Sequence, residues 1–149
     1  MIQKMYKLLK IKKMVNKINK DLGLPENKLP AYGFDYGYRN TYVTVSKDGY
    51  SLIAFGHYRD EKNNYLLVKT LDINELIFEI FNSATHRIAF DYELKNRIPD
   101  QDCRIIAFNK HIEILSSLQL ERKFVDKLKE RYDYLLHLNG PEPLPDNWL

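Results

Sequence analysis

The residues best placed to do chemistry lie in YELKNRIPDQDCR, Tyr92 to Arg104. Glu93, Lys95, Arg97, Asp100, Asp102 and Arg104 crowd around Pro99 there. Such a density suits an active site, a docking surface or a solvated helix junction. On a helix Glu93 and Arg97 stand four apart with the acid first, the better orientation for an ion pair. Asp100 and Asp102 fall where the next helix begins, and negative charge is favourable at its unpaired N–H groups. The spacing thus predicts a structural charge clasp of Glu93, Arg97, Asp102 and Arg104 at a corner made by Pro99. No nucleophile or metal ligand set surrounds it, so an active site is the weaker reading.

Other chemistries find little support. Cys103 and His111 are eight residues apart on a predicted helix, about 12 Å along its axis, too far for a thiolate–imidazole pair. Cys103 is expected in the core as a small apolar residue. His57, His86, His111 and His137 never recur at helical spacing, and zinc needs clustered imidazoles or thiolates. The scattered glycines form no phosphate-binding loop. No catalytic residue, metal or cofactor is expected. Tyr32, Phe34, Tyr36, Tyr38 and Tyr42 form an aromatic cluster. Aromatics on a sheet can stack bases, but Arg39 alone accompanies them, so sheet packing or a protein interface is favoured.

The elements that must position these residues follow from periodicity. Leu8, Ile11, Val15, Ile18 and Leu22 make one stripe of an amphipathic helix over residues 1–24. Gly23 and Pro25 end it. Residues 1–23 hold seven lysines and one acid, Asp21, for a net charge of +6. The remaining 16 basic and 19 acidic residues give −3. One basic segment on a slightly acidic body is weak support for a nucleic-acid face over the whole domain. A membrane anchor would want aromatic residues on the apolar face, and Tyr6 is the one available.

Residues 29–70 are β-rich. Val43 and Val45 alternate with Tyr42 and Thr44, Lys47-Asp48-Gly49 makes a turn, and Tyr50 to Phe55 returns. Tyr65 to Lys69 is a further strand, and Leu29 to Tyr36 a weaker one. Residues 72–138 read as helices. Asp72 and Glu75 suit a capping box. Ile73, Leu76, Ile77, Ile80 and Phe81 form a stripe, with a break expected near Asn82-Ser83. Cys103, Ile106, Ala107, His111, Ile114 and Leu115 stripe the next helix, and Leu120 to Leu138 forms the last. Residues 139–149 are a Pro-rich tail. The expectation is a single α+β domain: an antiparallel three- to four-stranded meander covered by helices, with an N-terminal amphipathic helix. One cysteine among 149 residues excludes a disulfide scaffold and suits the cytoplasm. No apolar run reaches the roughly 18 residues of a membrane span, and no secretory signal is expected.

LPAYGFDYG, then DINELIFEIF, then YELKNRIPDQDCRIIAFNKHIEIL resembles the immunity protein 63 family of bacterial polymorphic toxin systems. Tyr92, Glu93 and Arg97, followed by Gln101, Asp102, Arg104 and Phe108, carry the most specific part. The chain departs from the family pattern at Cys103, where an aromatic is usual, at Ile105, where a second arginine is usual, and at Glu79, often tryptophan. The resemblance implies a non-catalytic α+β protein that binds a cognate toxin and blocks it. Immunity surfaces that meet nucleases are commonly acidic, which speeds association. Asp91, Glu93, Asp100 and Asp102 form the expected toxin-binding patch, with Tyr36 and Tyr38 as aromatic candidates and Asp60 and Glu61 as a loop supplement. The alternative is a small nucleic-acid-binding module using the Lys-rich N-terminal helix. No membrane partner is expected.

Overall fold

A computed structural model describes residues 2–33, 39–56 and 64–138. Tyr36, Tyr38, His57, Asp60, Glu61 and the Pro-rich tail lie outside the described residues. The chain forms two compact units, Met1–Ile80 and Phe81–Leu149.

The first unit begins with helix α1, Ile2–Leu22. Its buried residues are Ile11, Val15 and Ile18, three of the five stripe residues, which drive it onto strands β1 and β2 below. Gly23 ends it with φ +71°, a left-handed conformation that costs glycine nothing. The Asn19 side chain then clamps the exit: Nδ2 donates to the Leu24 carbonyl and Oδ1 accepts from the Leu24 N–H, both at 2.9 Å.

Four strands follow: β1 (Ala31–Tyr32), β2 (Thr41–Ser46), β3 (Gly49–Ala54) and β4 (Tyr65–Thr70), in that spatial order. The β2–β3–β4 meander is antiparallel, and Val43, Val45 and Leu52 are buried. Between Leu52 and Ile53 the partner on β4 jumps from Val68 to Leu66. Leu67 is therefore the extra residue of a β-bulge. The expected first strand is corrected in two ways. It has two residues, and it pairs parallel to β2, Ala31 with Tyr42, so the sheet is mixed. Two residues make too few ladder hydrogen bonds to fix a direction by themselves, which leaves it to tertiary packing. The β2–β3 turn is closed by Gly49 at φ +120°. A Cβ there would collide with the Thr70 carbonyl oxygen, so both backbone angle and space require glycine.

Helix α2, Ile73–Lys95, starts in the first unit and ends in the second. Asp72 caps it by accepting from the Asn74 N–H at 2.9 Å. The expected break at Asn82-Ser83 is absent: the helix runs through it. Asn and Ser are poor helix formers but carry no backbone obstacle.

The second unit contains the rest of α2 with α3 (Cys103–Ser116) and α4 (Arg122–His137). Its core joins Phe81, Thr85 and Ala89 of α2, Ala107, Phe108, His111 and Leu115 of α3, and Phe124, Val125, Leu128, Tyr132 and Leu135 of α4. Phe108 and Tyr132 stack face to face, centroids 3.9 Å apart and 7° from parallel. Cys103 is corrected: it is exposed. It is the first residue of α3, and the stripe that buries Ala107, Phe108, His111 and Leu115 begins one turn later.

Candidate interaction surface

The charged stretch lies on the last turns of α2, the turn after it, and the start of α3. The row Phe81, Thr85, Ala89, Glu93 repeats every four residues, and all four are buried. Glu93 is therefore drawn inward by its place on an otherwise core-facing row and is 3% exposed. Arg97, one turn on, covers it with a two-point bridge: Nε to Oε1 at 2.9 Å and Nη2 to Oε2 at 3.1 Å. The hydrogen bond from Arg97 holds the Glu93 carboxyl below its ordinary range, against the opposing effect of burial.

Asp102 and Arg104 form a second, separate pair. Asp102 caps α3 by accepting from the Arg104 N–H at 3.0 Å. The Arg104 guanidinium also bonds both Asp102 oxygens, Nη2 to Oδ2 at 2.7 Å. Those contacts, led by the guanidinium, lower the Asp102 pKa. Arg104 Nη1 donates to the Leu135 carbonyl at 2.9 Å, satisfying an acceptor in the last turn of α4. Arg104 thus ties the start of α3 to the end of α4.

The candidate acids differ sharply in what they can offer a partner. Glu93 is covered and paired, and Asp102 is occupied by Arg104. Asp91 is exposed, with Arg87 at 3.3 Å. Asp100 is exposed in the left-handed region at φ +65°, a conformation aspartate tolerates better than most residues. No ion pair found among the described residues involves it. Sequence reasoning passed over the apolar side chains between these acids. Ile88, Tyr92, Leu94 and Ile98 are all exposed, Leu94 by 61%. Ile88, Asp91 and Leu94 are spaced by three, so the acid lies between apolar neighbours on the outer face of α2. Lys110 of α3 sits over the Tyr92 ring, 4.4 Å from its centroid, and holds that ring in place. Exposed apolar groups gathered on one surface mark a candidate interaction site. The signal was available: Leu94 and Ile98 interrupt an otherwise polar run.

Beneath this surface lies a polar network that the periodicity did not announce. His111 Nε2 is 2.9 Å from Thr85 Oγ1, and Nδ1 is 2.6 Å from the Tyr132 hydroxyl. Thr85 donates its own proton to the Phe81 carbonyl at 2.6 Å, so it must accept from Nε2–H. Tyr132 then donates to Nδ1, which fixes the neutral tautomer. Burial, with a smaller push from His86, takes His111 down to about 3, while a backbone bond to Asn82 opposes the fall. The His86 ring lies edge-on at 5.7 Å from that of His111, and burial lowers its pKa too. Both imidazoles are neutral near pH 7. Among the described residues no group of three His, Cys, Asp or Glu could hold a metal.

In the first unit, Arg39 is bound to Glu26 at 3.1 Å and reaches toward the Leu29 carbonyl. The arginine beside the aromatic cluster is therefore engaged in a local bridge.

The sequence model of a family described as Immunity protein 63 matches residues 57–134, over half of the chain. The chain belongs to the immunity protein 63 family. Its family segment includes β4, α2, α3 and most of α4, and therefore both carboxylate–arginine pairs and the exposed patch. It begins after the tyrosine-rich stretch and leaves out α1. No curated protein and no solved structure matches the chain significantly. No helix among the described residues is long and apolar enough to cross a membrane.

Proposed function

We propose that this immunity-family chain is a non-catalytic, cytoplasmic protein that binds a cognate toxin and neutralises it by occluding the toxin's active site or an adjacent exosite. Membership of the immunity protein 63 family carries the reading. The exposed patch supports a particular docking surface: Tyr92, Leu94 and Ile98 as apolar anchors, Asp91 and Asp100 as the acids that steer encounter. Glu93, Arg97, Asp102 and Arg104 hold the corner that displays them. Tyr36 and Tyr38 stay candidates for the same partner.

The test is a pull-down of the tagged chain from its native lysate in moderate salt, with nuclease-treated controls. The expected result is one stoichiometric protein whose expression arrests cells unless this chain is co-expressed. Recovery of nucleic acid alone, lost after nuclease, overturns the reading. The surface has its own test. L94S/I98S, both on exposed side chains, should weaken toxin binding by about 2 kcal/mol or more if they are anchors. D91K/D100K should slow association several-fold and change dissociation little. Unchanged binding in both variants would move the interface elsewhere.

A further inference from the structure

Helix α1 carries two apolar stripes. The first, Ile11, Val15 and Ile18, is buried. The second is Ile2, Met5, Tyr6 and Leu9, at i, i+3, i+4 and i+7. All four are exposed, from 86% at Ile2 to 54% at Leu9. At 100° per residue the second stripe points away from the first. Lys13 and Lys20 continue its line toward the C-terminus, Lys10 and Lys17 flank it on one side and Lys12 on the other, and all five are exposed. No acid occurs before Asp21. The outer face is thus one strip about 30 Å long, apolar at its start and cationic along its remainder.

We propose that this outer face of α1 lies on an anionic phospholipid surface, with Ile2, Met5, Tyr6 and Leu9 entering the headgroup–acyl boundary and Lys10, Lys12, Lys13, Lys17 and Lys20 meeting the phosphate and carboxylate headgroups. Charge complementarity selects the occupant. A second copy is repelled by the same lysines. A nucleic-acid backbone would satisfy the lysines but has no apolar layer for Ile2, Met5 and Leu9. A bilayer interface offers both chemistries on a plane, and the expectation of no membrane partner is reversed because four exposed apolar side chains, with Tyr6 as the aromatic one, form a second stripe beside the lysines. The inference is independent of toxin binding, whose candidate surface is on α2 and the α2–α3 turn.

The test uses the full chain with phosphatidylcholine vesicles, with and without phosphatidylserine. Co-sedimentation should require phosphatidylserine and weaken with added salt. K13Q/K17Q should weaken it about 25-fold, at about fivefold per lysine. M5S/Y6S/L9S changes exposed side chains only, so its circular dichroism should match the wild type while vesicle binding falls at least as far. L9W should show a blue-shifted emission on the anionic vesicles alone. Absence of binding to phosphatidylserine vesicles overturns the proposal. So does binding that M5S/Y6S/L9S leaves unchanged, or an unshifted L9W spectrum. Preferential capture of nucleic acid or of an acidic protein groove by the same lysines, with vesicles ignored, overturns it as well.

Discussion

The two units stabilise themselves differently. The core of the first, where described, is apolar: Ile11, Val15, Ile18, Val43, Val45 and Leu52 with Leu76, Ile77, Phe78 and Ile80. The fully buried polar residues among those described, Thr85, Glu93 and His111, belong to the second, while the first buries the Tyr32 hydroxyl of an otherwise half-buried side chain. An apolar core asks for shape and volume. A core with a hydrogen-bonded histidine also demands that each donor meet its acceptor, and its stability then depends on proton activity. The family segment covers the described polar core except Leu135, and of the apolar one only the last strand and first helical turns.

Truncating a large buried side chain should damage either unit, and this is the largest effect expected. F108A removes one half of the stacked pair and should cost about 3–5 kcal/mol by urea unfolding, with L52A close behind at about 2–5 kcal/mol. The comparison sharpens with an isosteric exchange. T85V removes the hydroxyl that lies 2.9 Å from His111 Nε2, and V43T buries a hydroxyl in an apolar site. Each should cost about 1–3 kcal/mol, although one makes the core less polar and the other more so. A stabilised T85V would show that the network is tolerated and not needed.

The histidine core should also set a pH dependence. His111 is held at about 3 in the folded chain against an ordinary 6.5, and His86 is lowered as well. Their unfolded forms take up protons below about 6.5 while the folded forms resist. Stability is therefore full above that pH and falls on acidification toward the folded values, by about 1.4 kcal/mol per pH unit for His111 once its unfolded form is protonated, with His86 acting in the same direction. Glu93 and Asp102, lowered from ordinary values of 4.5 and 3.8, add their losses further into acid. Between pH 6 and 5 the slope belongs to the histidines, and H111Q should reduce it by about one proton whatever it does to absolute stability. An unchanged slope would break the contrast between the units. The smallest effect is expected at the corner. D102A removes the cap of α3 and frees Arg104, and should cost about 0.5–2 kcal/mol in thermal or urea unfolding.

Much of this architecture was legible in the sequence because its signals are local. A stripe at Ile11, Val15 and Ile18 says helix with one wet face, and alternation around Val43 and Val45 says strand. Glycine at 23 and 49 marks the positions where the backbone turns left-handed. The α+β class, the run of strands before helices and the family motif all came from such short-range patterns. Burial was least legible where a residue's type and its place disagree. Cys103 has a core-like side chain but stands at the exposed first turn of α3. Glu93 has a surface-like side chain but stands on the row of Phe81, Thr85 and Ala89.

Residue order and periodicity by themselves determined the α+β class, the order of the longer strands and helices, and the family resemblance. Tertiary structure alone decided that β1 runs parallel to β2 and which carboxylates at the corner are covered or paired. It alone assembled Thr85, His111 and Tyr132, separated by 26 and 21 residues. The physical reason is range: a period reports which face of an element is apolar, but a partner for a buried proton comes from another element, and no local pattern names it.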